Sequence, residues 1–141
     1  MAGFRDFREI AAWRLANELK LRVDLFLLSP PFRRHFKLCD QLSDAVRSGP
    51  RNIAEGFERY RHKEFAQFVR IARGSEVEVL NHLVDARDQR LITDDEFLIT
   101  EHLAKRAIKA AVGLIRYLES TPDRRRSTNW HQWHPWHPWH L

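Results

Sequence analysis

Residues 51–78 decide the fold. They read Arg51-Asn-Ile-Ala-Glu-Gly56-Phe-Glu, a basic turn through Arg59, Arg61 and His62, then Lys63-Glu-Phe65, Phe68, Ala72-Arg-Gly74-Ser75 and Glu78. Apolar residues recur at helical spacing on both sides of the turn, the mark of two amphipathic helices. The stretch is therefore one helical hairpin. Gly56 reads as a left-handed stop for its first helix. Gly74-Ser75, in mid-helix, costs about 1 kcal/mol of propensity relative to alanine. That cost reads as the sign of a close helix crossing, where a Cβ would not fit.

Upstream, the hairpin's first helix begins around Phe36–Leu38 and turns Leu38, Leu42, Ala45 and Val46 inward. Ser48-Gly49-Pro50 interrupts it. Proline lacks the amide and clashes with the preceding turn, so a kink or a cap-and-restart is expected. The third helix runs from about Lys63 to Gln89, with Phe65, Phe68, Ala72, Ser75, Val79, His82 or Leu83, and Ala86 in one row. A second row holds Val69, Leu80 and Val84, broken by Glu76.

The opening helix is expected to start near Asp6, whose carboxylate can cap free amides, with Glu9 at the favourable end of the dipole. Ile10, Trp13, Ala16, Leu19 or Lys20, Val23 and Phe26 form its stripe, and Ser29-Pro30-Pro31 ends it. The fourth helix opens on a capping box, Thr93-Asp-Asp-Glu96, with Ile92 and Phe97 as its hydrophobic staple. It continues through Leu103, Ile108, Ala111, Ile115 and Leu118, with Ala107, Ala110 and Leu114 beside them, and stops before Pro122. Four long helices joined by short turns predict an all-α, antiparallel up-down-up-down four-helix bundle. The third and fourth carry more apolar surface than one core needs, which predicts a homo-oligomer.

The chain has 141 residues, room for one ordinary core. Residues 1–121 are read as the bundle domain and 122–141 as a disordered tail. Formal net charge is +5. Removing the tail takes away three arginines and one aspartate and leaves +3. A mildly basic globule suits a polyanionic partner and equally suits plain solubility. Cys39 is the one cysteine, so no intrachain disulfide forms, a reducing compartment fits, and the thiol reads as packing. The charged N-terminus lacks a signal-peptide core, and the longest apolar run, Leu25–Leu28, is too short to span a bilayer. A cytoplasmic protein without membrane contact is expected.

Phe7-x-x-Ile10-x-Ala12-Trp13 resembles the opening helix of the four-helix-bundle proteins encoded by intervening sequences in bacterial 23S rRNA genes. Asp40-Gln41-Leu42, Ala45-Val46-x-Ser48-x-Pro50-x-Asn52-Ile-Ala-Glu-Gly56-Phe57 and Ala72-x-Gly74-Ser75 with Glu78 continue the likeness, which spans Phe7 to Leu118. Arg61, Gly49 and Arg51 depart from the pattern, Arg61 standing where a small hydroxyl cap is usual. The resemblance implies a bundle assembling into a ring of five, with no known catalytic activity. Relatives act as accessory subunits of retroelement reverse transcriptases, so RNA or a reverse-transcriptase-like protein is the implied partner.

Two clusters are candidate sites. Arg47, Arg51, Arg59, Arg61, His62 and Lys63, extended by Arg70 and Arg73, concentrate positive charge around the hairpin. Summed over a ring, that charge could hold phosphates, and the bland reading is a solvated face partly neutralised by Glu55, Glu58 and Glu64. Tyr60 and Phe57 could stack on bases, though turn or core packing suits them better. Asn52, Glu55, Ser75 and Glu78 could meet across the hairpin crossing, as a polar site or, more simply, as groups satisfying one another.

The tail repeats Trp and His every three residues from Trp130 to His140. In a polyproline II conformation successive histidines would lie about 9 Å apart. A straight tail therefore cannot chelate one metal, whose nitrogen ligands sit at about 2.0–2.1 Å. Metal capture by a folded-back tail, or aromatic-partner capture, competes with a disordered tail born of a short DNA repeat.

No reaction is expected, and no cofactor or small-molecule substrate. A di-iron bundle needs Glu-x-x-His pairs, and Glu78–His82 and Glu58–His62 are each one residue too long. Nuclease bundles with Arg, four to six residues, then His find that spacing only in the tail. A glycine-rich phosphate loop is missing from the sequence.

Overall fold

The computed structural model describes residues 4–123. A 3-10 turn, Phe7–Glu9, leads into α1 (Ala11–Leu27), followed by the short α2 (Pro30–Arg33), then α3 (Phe36–Phe57), α4 (His62–Asp88) and α5 (Asp94–Ser120). The four long helices form the predicted up-down-up-down bundle. α3 packs between α1 and α4, and α5 closes the ring between α4 and α1. The disorder expected of the tail falls on residues that, from 124 onward, lie outside those described.

Several boundaries differ from expectation for physical reasons. Asp6 caps the 3-10 turn, accepting from the Arg8 amide at 2.8 Å, rather than α1 itself. The Arg8 side chain also bonds this carboxyl and holds it below the ordinary aspartate value. α1 then starts on Ile10 without a side-chain cap. Pro30 and Pro31 end α1 and open α2, where a missing amide in the first turn costs nothing. Pro50 lies inside a continuous α3, with neither a cap nor a restart.

Gly56 is not a left-handed stop, because no described glycine has positive φ. It lies buried in the last turn of α3, where a Cβ would come within 2.7 Å of Phe65 Cδ1 and 2.8 Å of Phe68 Cβ. Gly74 has nothing within 4 Å of an added Cβ, so the close α3–α4 approach runs through Gly56 instead. The left-handed turn residue is Arg90, φ 59°, which lets the Leu91 amide reach back to the Ala86 carbonyl at 2.9 Å and end α4.

The core has two halves. Leu19, Val23, Phe26, Phe32, Leu42, Val46, Val79, Leu83 and Phe97 fill one end. Ile10, Ala16, Ile53, Phe57, Phe65, Val69, Ala111, Ile115 and Leu118 fill the other. Fully burying such side chains contributes about 1.5–3 kcal/mol each. Cys39 packs against the first half, its Sγ donating to the Phe32 carbonyl at 3.0 Å, and burial pushes its thiol upward.

The capping box forms as read. Thr93 Oγ1 accepts from the Glu96 amide at 3.0 Å, and Glu96 Oε1 accepts from the Thr93 amide at 2.9 Å. Thr93→Ala should therefore lower the unfolding free energy by about 1 kcal/mol in urea titration. An unchanged midpoint would show that the cap contributes nothing.

Candidate nucleic-acid interface

The turn between α3 and α4 is set by packing beneath it. Phe57 and Phe65 meet edge to face with ring centroids 6.4 Å apart, and Gly56 leaves room for α4 to approach. The intervening residues 58–61 are lifted to the end of the bundle, presenting Arg59, Arg61 and, at the start of α4, Lys63.

The seven arginines and lysines singled out from sequence do not form one patch. Arg47 leans to the α1 side, its Nη2 donating to Asp24 Oδ1 at 2.9 Å and its Nη1 to Ser43 Oγ at 2.9 Å. Arg70 leans to the other side of the hairpin, pairing with Glu119 of α5. Arg59 pairs with Glu55 at 2.8 Å and lies over the Phe68 ring, 4.9 Å from its centroid. Arg51, Arg61, Lys63 and Arg73 are exposed and carry no ion pair among the described residues. Arg61 and Lys63 bracket the turn, whereas Arg51 and Arg73 sit further along the flanks of α3 and α4.

The polar cluster divides too. Asn52 Nδ2 donates to the Ser48 carbonyl at 2.8 Å and to its hydroxyl at 2.9 Å, and Ser75 Oγ donates to Ser48 Oγ at 2.7 Å. Ser48 is thus the bridge between Asn52 and Ser75. Glu55 and Glu78 face solvent, each against its own helix partner, Arg59 and His82. This arrangement ties α3 to α4 next to Pro50 and offers no reactive geometry.

Two features escaped the sequence reading. Glu76, seen only as a break in an apolar row, is 2% exposed at the level where the core halves meet, with neither carboxylate oxygen hydrogen-bonded. Gly49 of α3 faces it, and an added Cβ there would lie 3.4 Å from Glu76 Oε2 and 3.5 Å from Ala16 Cβ, ordinary contact distances. Burial pushes this carboxyl up to about 8. A charged residue at a core position of a 3-4 repeat was the available signal.

The second feature is the start of α4. Arg61 supplies no side-chain cap, and Asp123 Oδ1 accepts the His62 amide at 2.8 Å instead. Among the described residues, no three His, Cys, Asp or Glu side chains group to hold a metal ion, and no helix is long and apolar enough to cross a membrane.

Comparison with curated proteins finds no match for the chain. The model of one protein family, described as 23S rRNA-intervening sequence protein, matches residues 8–113, covering the whole hairpin and the capping box. That stretch is most of the chain and agrees with the helical architecture, so the protein belongs to the 23S rRNA-intervening sequence protein family.

Proposed function

We propose that the bundle is a non-enzymatic cytoplasmic module that self-associates, with a ring of five favoured, and engages RNA or an RNA-handling protein through the α3–α4 turn. The observation that carries this reading is the exposure of Arg61 and Lys63 at one end, free of the acid partners that occupy Arg47, Arg59 and Arg70. Side chains without intramolecular pairs release counterions when phosphates replace them, which drives binding at low salt.

Self-association is supported by apolar surface left uncovered. The sequence reading sought it on α4 and α5, which expose Ile71, Val77, Leu98 and Ile99. A further stripe runs along α1 to its C-cap, where Leu21, Leu25 and Leu28 share one face, and Phe36, 78% exposed, opens α3. Apolar faces of this kind on soluble helices serve subunit contact.

Arg61→Glu with Lys63→Glu should lower filter-binding affinity for RNA at least tenfold at low salt, with a smaller deficit as salt rises. Undiminished binding would remove this surface from consideration. The tethering of Arg47, Arg59 and Arg70 to carboxylates favours a second reading, a protein-interaction scaffold without nucleic-acid affinity. Wild-type protein that retards no RNA at low ionic strength would select it.

A further inference from the structure

Gly74 weakens α4 for no reason within its own bundle. A glycine in mid-helix is destabilising relative to alanine, yet an added Cβ at position 74 meets nothing within 4 Å. The bare backbone faces solvent, between Ile71, 53% exposed, and Val77, 50% exposed. A helix surface stripped to its backbone and flanked by apolar side chains suits the close approach of a second helix.

The chemistry of this face is matched in both directions from the glycine. Three positions away stand Ile71 and Val77, both apolar, and four away Arg70 and Glu78, of opposite charge. Seven positions away stand the amides of Gln67 and Asn81, and eleven away Lys63 and Asp85, again of opposite charge. All are exposed, and these steps keep to one face of a helix. In an isologous contact, residue i of one protomer meets j of the other and j meets i. A two-fold axis at Gly74 therefore brings every matched pair together, with the two α4 helices antiparallel.

The charges also select a crossing angle. Arg70 and Glu78 already have intramolecular partners in Glu119 and His82. Lys63 and Asp85 carry no ion pair among the described residues, the Asp85 carboxylate accepting from Gln89. Each lies about 16 Å along the helix axis from position 74. Axes crossing at about 20° diverge by about 6 Å over that distance, which a long lysine side chain can span. At about 50° the divergence is about 14 Å and leaves the pair apart.

We infer that two copies of this chain pair through the outer face of α4, about a two-fold axis at Gly74. Such a contact closes at two, whereas a ring joins two different faces. The pairing goes beyond the ring proposed above and does not depend on it: rings joined this way come in twos, and without a ring the product is a dimer. Asp85 of the second copy competes with phosphate for Lys63, and Asp85→Lys ends that competition with the cations of the turn left in place.

Sedimentation equilibrium of the full chain measures the assembled mass. Wild type should contain an even number of copies. Gly74→Arg places a long side chain at the crossing and meets nothing in its own bundle, so it should halve that mass with the helical circular dichroism unchanged. Asp85→Lys should also halve it, and adding Lys63→Asp should restore it, because the exchanged charges meet again across the axis. A merely structural role of Asp85 within its own helix would give no such rescue. A mass unmoved by Gly74→Arg overturns the pairing and leaves this face to a foreign protein or to solvent. A wild type that sediments as one copy overturns the pairing and the ring alike.

Discussion

Gly56→Leu is expected to destroy the native α3–α4 packing, while Gly74→Leu leaves it standing. Even an alanine at position 56 would bring its Cβ to 2.7 Å from Phe65 Cδ1 and 2.8 Å from Phe68 Cβ. The Phe65 ring could pivot, but it already sits edge to face on Phe57 within a buried cluster. Phe68 Cβ is rigidly joined to the α4 backbone, so relief requires α4 itself to move. Overpacking of this kind costs about 1–3 kcal/mol, outweighing the 0.5–1 kcal/mol or so that replacing a helical glycine returns.

Gly56→Ala should therefore lower stability in urea titration, and Gly56→Leu should yield little folded protein by circular dichroism. At position 74 the added Cβ meets nothing, so Gly74→Ala should stabilise by about 0.5–1 kcal/mol. Equal effects at the two sites would refute this account of the hairpin.

Replacing Glu76 should alter how stability depends on pH. Its carboxyl titrates near 4.5 when solvated and at about 8 in the bundle, raised by burial with no contribution from a charged neighbour. Several ionisable groups on the packed helices have other engagements or face water. Arg47 pairs with Asp24, His82 with Glu78 and Lys105 with Glu101, while Lys20 is half-exposed and Arg51 exposed.

Because the folded state holds the proton more tightly, the stabilising contribution is complete below about pH 4.5. It declines as pH rises and is lost once pH passes about 8. Across that window the change amounts to about 5 kcal/mol for this one group. Glu76→Leu removes the ionisable group at similar volume. Its stability advantage over wild type in urea titration should widen from pH 5 to pH 9. A constant difference across that range would mean that the carboxyl is not held in its neutral form.

Local signals were legible and long-range ones were not. Thr93-Asp-Asp-Glu96 announces its own cap because all its partners lie within one turn. The C-terminal ends of α1 and α5 follow from Pro30 and Pro122 in the same way, whereas α3 and α4 end without the signals read for them. Gly56 and Gly74 exchanged significance because a glycine in a sequence shows that space is available without showing what occupies it. The basic residues separated for a similar reason: Asp24 and Glu119 are 23 and 49 positions away from Arg47 and Arg70. Helical spacing cannot foresee which acid will approach from another helix. Glu76 was visible as an anomaly in its row, but its missing partners became evident only once all four helices surrounded it.

The bond between Asp123 and the His62 amide spans 61 positions of sequence. During synthesis on the ribosome, α4 is made long before the carboxylate that completes its first turn. Until then, water must serve the opening amide of α4, and closing so large a loop carries an entropic penalty that grows with its length. The bond that completes the start of α4, beside Arg61 and Lys63, can therefore form only after α5 and the residues just past it have been made.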